Sequence, residues 1–149
     1  MRNRNKDGTF KKIHGEAGTR TWCNWNQMKQ RCFSPNNSSY FKYGARGISV
    51  CKKWLSYQGF LADMGHSPRG MTLERINNSG NYWKGNCKWA TPKEQANNRR
   101  SNRLITFENI TMTLAQWSEK LGIKSYTLRR RIVDGWSIKE ALYKPVKQK

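Results

Sequence analysis

Acidic residues are scarce in this chain: 9 Asp plus Glu face 29 Lys plus Arg, for a formal net charge of +20. Between Thr21 and Pro92 the only carboxylates are Asp63 and Glu74. That shortage excludes a cation cage built from many side-chain carboxylates. Long apolar runs are also missing. None approaches the roughly 18 to 20 residues of a membrane-spanning helix. No basic amphipathic helix with an apolar face stands out, so a membrane surface is not the expected polyanion. The first residues, Met1 to Gly8, hold no apolar stretch of the signal-peptide kind. The expectation is a protein inside a cell, whose four cysteines are reduced thiols and not a disulfide framework. Neither a membrane partner nor a small-molecule substrate is expected.

What is present is positive charge and aromatic rings. An excess of +20 goes far beyond what solubility needs. Each phosphate that Lys or Arg neutralises releases a condensed counterion, so binding to nucleic acid should weaken steeply with salt. Hydrophobic residues make up only 36%, but seven Trp and six Tyr are among them. Large rings let a short chain hold two small cores more readily than one large one.

Residues 1–20 read as a basic arm. Trp22, Trp25, Met28 and Cys32 recur at helical spacing, so a helix is predicted over Thr21–Arg31. Ser34 to Ser38 break it. A second amphipathic helix is predicted over Trp54–Met64. Met71–Ile76 and Asn86–Ala90 read as short strands around the turn-rich stretch Asn77–Asn81. Thr91 and Pro92 then open a helix running to Arg100. The unit is two strands and a helix, ββα, over about 30 residues.

The residues Leu73 to Tyr82, Gly85 to Thr91 and Glu94 to Arg99 resemble the HNH family of nucleases. The preceding block (Trp25 to Met28, Arg31, Cys32, Tyr43, Gly44, Arg46 to Ile48, Cys51, Trp54, Phe60, Asp63 to Gly65) looks like the N-terminal part of phage proteins often called HNH endonucleases. The resemblance implies one divalent metal, Mg²⁺ for example, on the scissile phosphate, and a His that takes a proton from water while an Asn orients it. It also implies the cytoplasm of a bacterial host. By position, Glu74 stands where the metal-binding Asp belongs and Arg75 where the general-base His belongs. Asn86 matches the middle Asn. Gln95 matches the last position, with Asn98 close by in the chain, so the implied metal set is Glu74, Gln95 and Asn98. Arg stays protonated and is a poor base, though it can clamp a phosphate. Three readings follow: a DNA-holding unit without catalysis, a variant cut with another base, or a metal-bound water acidic enough to need none. His66 is a candidate replacement base beside an exposed-loop alternative. Cys23, Cys32, Cys51 and Cys87 are candidate zinc ligands, but their spacing holds no C-x-x-C knuckle, and buried thiols explain them as well.

Residues 113–149 read as a helix-turn-helix, with Gly122 in the turn, Ser125 as the next N-cap and a helix whose Leu128 and Ile132 face inward. The segment resembles small DNA-binding modules appended to phage homing endonucleases. Ser125, Tyr126, Arg129 and Arg130 are the expected base readers. Lys124 and Arg131 are expected on phosphates. Arg46, Arg99, Arg100 and Arg103 complete the expected DNA contacts.

The predicted fold is α+β: a small ββα-metal domain over 21–100, preceded by helices, then a linker or short hairpin over 101–112, then an all-α helix-turn-helix module. The predicted function is a metal-dependent endonuclease acting on double-stranded DNA. The alternatives are a non-catalytic DNA-binding or regulatory protein on a degenerate scaffold, and an RNA- or ribosome-binding protein.

Overall fold

The computed structural model describes residues 16–145. Most of the expected basic arm, with His14, therefore lies outside the described residues. Two compact units meet in the chain between Pro92 and Lys93. The first holds α1 (Arg20–Phe33), α2 (Tyr57–Met64), β1 (Thr72–Arg75) and β2 (Cys87–Ala90). The second holds α3 (Pro92–Asn97), which opens at the boundary, β3 (Leu104–Phe107), β4 (Ile110–Thr113), α4 (Leu114–Leu121), α5 (Ser125–Val133) and α6 (Ile138–Tyr143). The fold is α+β, as expected.

In the first unit, α1 starts where the Thr19 hydroxyl accepts from the Trp22 amide at 3.2 Å. Thr21, Trp25, Met28 and Cys32 form its buried face. Three of these, Trp25, Met28 and Cys32, belong to the predicted stripe, and its fourth member, Trp22, is half-buried against the same core. A 3₁₀ turn, Gly44–Arg46, lies against the end of this helix. A Cβ built on Gly44 would sit 2.2 Å from the Cys32 carbonyl oxygen and 2.3 Å from the Tyr40 ring, so the packing needs glycine there. The predicted helix over Trp54–Met64 is interrupted. Lys52–Leu55 form a 3₁₀ turn, Ser56 is extended, and its hydroxyl accepts from the Gly59 amide at 3.1 Å to cap a shorter α2. The cap bond won over the continuous apolar pattern.

β1 and β2 pair antiparallel, from Thr72 opposite Ala90 to Arg75 opposite Cys87. A parallel bridge between Val50 and Tyr82 ties the hairpin loop to the chain before α2. Indole N–H groups stitch this core to backbone carbonyls: Trp25 donates to Trp54 at 2.8 Å and Trp89 to Met64 at 2.7 Å.

The second unit adds a short hairpin, β3 and β4, ahead of the helices α4, α5 and α6. Its hairpin turns at Glu108 (φ 48°) and Asn109 (φ 62°), the paired left-handed residues of a type I′ turn. Ile105 of β3 is buried with Trp117, Leu128, Ile132, Ala141 and Leu142, and the Trp117 indole donates to the Ile105 carbonyl at 2.9 Å. The segment read as a linker or short hairpin is thus a hairpin, and it supplies part of the core. Helix α3 goes with this unit as well: Asn97 accepts from the Thr113 hydroxyl at 3.0 Å. It ends at Asn97, short of the predicted Arg100, where Asn102 donates to the carbonyls of Ala96 and Asn97.

Thr113 and Gln116 form a capping box at α4, and Gly122 (φ 65°) ends that helix in the left-handed region. Ser125 is not the N-cap of α5. That place belongs to Lys124, and the Ser125 hydroxyl turns back to donate to Ser118 at 2.9 Å.

Candidate nucleic-acid interface

Period-two alternation puts Leu73 and Arg75 on one face of β1 and Glu74 on the other. Leu73 packs on the core, and Arg75 follows it inward to 5% exposure. The Arg75 guanidinium donates to the Gly80 carbonyl at 2.9 Å. It also lies over the Tyr43 and Tyr82 rings, 4.9 and 4.8 Å from their centroids. The expected phosphate clamp is therefore enclosed by protein, and its charge is spent on a carbonyl and two ring faces.

Asn86 is buried too. Its side chain accepts from the Asn77 amide at 2.8 Å and donates to the carbonyls of Asn77 at 3.2 Å and Asn81 at 2.9 Å. These bonds hold the loop between β1 and β2. A Cβ on Gly80 would come within 2.8 Å of the Asn86 amide nitrogen, so that loop is packed against its own brace.

Of the carboxylates, Asp63 is committed to structure. It accepts from Lys53 at 2.5 Å and from the Trp54 indole at 2.9 Å. The Lys53 bond first, then the Trp54 bond, hold its carboxyl below the usual aspartate range. Glu16 accepts from the Tyr57 hydroxyl. Glu74 is half-buried on β1, opposite Lys88 in register. His66 is exposed, with Nδ1 3.7 Å from a Glu16 oxygen. Its charged neighbour is thus Glu16. Gln95 and Asn98 are half-buried and belong to the second unit, while Glu74 belongs to the first.

All four cysteines are free thiols. Burial pushes the Cys32 thiol up to about 11 and the Cys87 thiol up to about 12. Both are protonated at neutral pH and inert as nucleophiles. Among the described residues no group of three or more His, Cys, Asp and Glu side chains is placed to hold a metal ion. None of their helices is long and apolar enough to cross a membrane.

The second unit displays its cations differently. On α5, Leu128 and Ile132 are buried as predicted, and Arg131 is buried with them at 7% exposure. It donates to the Ala141 carbonyl at 2.9 Å and the Pro145 carbonyl at 3.2 Å, and lies 5.1 Å from the Trp136 ring. The expected phosphate contact is instead the bolt between α5 and the segment that follows it. Tyr126, Arg129, Arg130 and Val133 line a shallow depression on the outer side of α5, with Tyr126 71% exposed. Arg130 pairs with Asp134 at 3.2 Å. Lys124, Arg99, Arg100 and Arg103 are exposed, as is Arg46 in the first unit.

Compared with protein-family models, curated proteins and solved structures, the chain gives no match.

Two features escaped the sequence reading. One is the Tyr43–Tyr82–Arg75 cluster, which period-two alternation from Leu73 would have flagged. The other is Trp83, held out on the β1–β2 loop, for which Gly85 two residues later was the available signal.

Proposed function

We propose that the protein binds duplex DNA through the outer face of α5. The supporting observation is the way α5 divides its cations: Arg131 is folded inward while Tyr126, Arg129 and Arg130 stand exposed together just after the Gly122 turn. A planar guanidinium on a rigid helix suits the acceptor pair of guanine in the major groove. The overall charge of +20 supplies the phosphate term. Ser125 is a weaker candidate reader, because its hydroxyl is bonded to Ser118.

Fluorescence anisotropy with a labelled duplex over a salt series tests this. Affinity should fall steeply with salt. Arg129→Ala and Arg130→Ala should each cost roughly 1–3 kcal/mol if they touch bases, and should lower the salt slope if they touch phosphates. Structured RNA should compete poorly with duplex DNA, because its narrow major groove excludes a helix. Equal affinity for both would replace this reading with the RNA-binding one.

A second reading, cleavage at the hairpin, rests on Glu74, the carboxylate that the nuclease resemblance would give to Mg²⁺. Such a metal would neutralise charge on a phosphate. Arg75 and Asn86 do not fit the rest of that set, since both are used in holding the loop. This favours DNA binding on a nuclease-like scaffold over cleavage. Supercoiled plasmid incubated with Mg²⁺, Mn²⁺ or EDTA decides between them. Metal-dependent nicking that Glu74→Ala abolishes would restore the enzyme; intact plasmid under tight binding supports the binding protein.

A further inference from the structure

Trp83 is 53% exposed, and the backbone on both sides of it is hydrogen-bonded. Tyr82, just before it, is 4% exposed and locked by two backbone bonds: its amide donates to the Ser49 carbonyl and its carbonyl accepts from the Cys51 amide, both at 2.9 Å. Just after it, the Asn86 amide donates to the Trp83 carbonyl at 3.0 Å, and the Asn86 side chain braces the loop. The indole itself lies on Gly85. A Cβ there would fall 2.2, 2.4 and 3.0 Å from three carbons of its six-membered ring. Gly85 does not have a positive φ among its backbone angles. Its lack of a side chain is needed for the ring alone.

A half-exposed indole gains little from the core, yet this loop sets its position with a glycine and a pinned backbone on both sides. Lys84 beside it is exposed, and the unit carries few acids. A flat π-surface held rigid in a positive field suits a nucleobase, since every base offers a π-face and every nucleotide a negative charge. We propose that Trp83 is a base-stacking platform, the first unit's own contact with DNA. It takes the face of a base that is unpaired or unstacked from its neighbour. The proposal rests on the DNA-binding reading but uses no residue of α5.

The experiment compares wild type with Trp83→Ala, Trp83→Phe and Trp83→Leu, using anisotropy with a duplex that carries one unpaired base. Loss of the stack should weaken binding on the order of 10- to 100-fold in the Ala variant. Phe should recover most of the loss. Leu, apolar but without a π-face, should not. The salt slope should stay unchanged in all four, because no charge has been removed. Gly85→Ala, which pushes the ring aside and leaves it in place chemically, should behave like Trp83→Ala. Two results overturn the proposal: Trp83→Ala binding like wild type, or Leu recovering as well as Phe, which would mark a plain packing role. Wild type failing to bind any DNA would instead sink the reading on which it rests.

Discussion

Among the described residues each unit buries one arginine, and in each the guanidinium donates to main-chain carbonyl oxygen while lying over an aromatic ring. Arg75 does this with Gly80, Tyr43 and Tyr82. Arg131 does it with Ala141, Pro145 and Trp136. The neighbours of the two differ. Glu74, beside Arg75, faces the other side of a short strand, and the first unit presents rings such as Trp83 to solvent. Arg129 and Arg130, beside Arg131, stay on the outer face of a helix. One residue type thus serves as an internal fastener at one position and as an exposed cation at the next, and backbone period decides which.

The sharpest way to break this comparison is to remove the fasteners. Arg75→Ala and Arg131→Ala should each destabilise their own unit by about 3 kcal/mol, through unpaired carbonyls and lost ring contacts. Urea denaturation read by hydrogen exchange would assign the loss to one unit. Gly44→Ala should cost the first unit a similar amount. Its Cβ meets a backbone oxygen at 2.2 Å that cannot rotate away. If Arg131→Ala leaves stability untouched and weakens only DNA binding, the inward reading of Arg131 is wrong.

Asn86→Ala should come next, at about 2 kcal/mol, because it strips the Asn77 amide and the Asn81 carbonyl of their partners and leaves the Asn77 carbonyl with the Gly80 amide alone. Arg130→Ala should do the reverse of Arg131→Ala, leaving stability nearly unchanged while lowering DNA affinity. Acid should act on the first unit more gently. The Asp63 carboxyl is held below its ordinary value of about 3.9, by Lys53 first and Trp54 second. A depressed carboxylate contributes its full share above that ordinary value and loses it as pH falls through the lowered one. A pH titration of thermal stability should therefore show the first unit weakening below about pH 4. Asp63→Asn should flatten that fall. The smallest effect is expected for Asp134→Ala. Freeing Arg130 from an exposed pair should change stability by less than about 0.5 kcal/mol and raise DNA affinity a few-fold.

Much of the fold is legible in the sequence where one period or one turn signal dominates. The α1 stripe, the β1–β2 pair, the Glu108–Asn109 hairpin and the Gly122 stop are such places. The misreadings share a cause. At Ser56 a side-chain cap competes with an apolar run, and the run conceals it. At Arg131 the residue type pointed outward, whereas its spacing, three residues after Leu128 and next to Ile132, placed it on the buried face. At Arg75 the comparison with a motif position hid the alternation from Leu73. The candidate site was less legible than the fold, because exposure depends on which neighbours close over a side chain. Asn86 shows this: its matching position suggested a role beside a base, and three bonds to its own loop spend it on structure.

The four cysteines all lie in the first unit, and the second has none. Cys32 and Cys87 are buried and protonated, whereas Cys23 and Cys51 are half-buried. The chain therefore carries its own clock for one unit. A thiol reagent should modify Cys32 and Cys87 only as fast as the first unit opens, and that rate stays blind to events in the second. Slower labelling in the presence of DNA would then report protection felt by the hairpin unit alone.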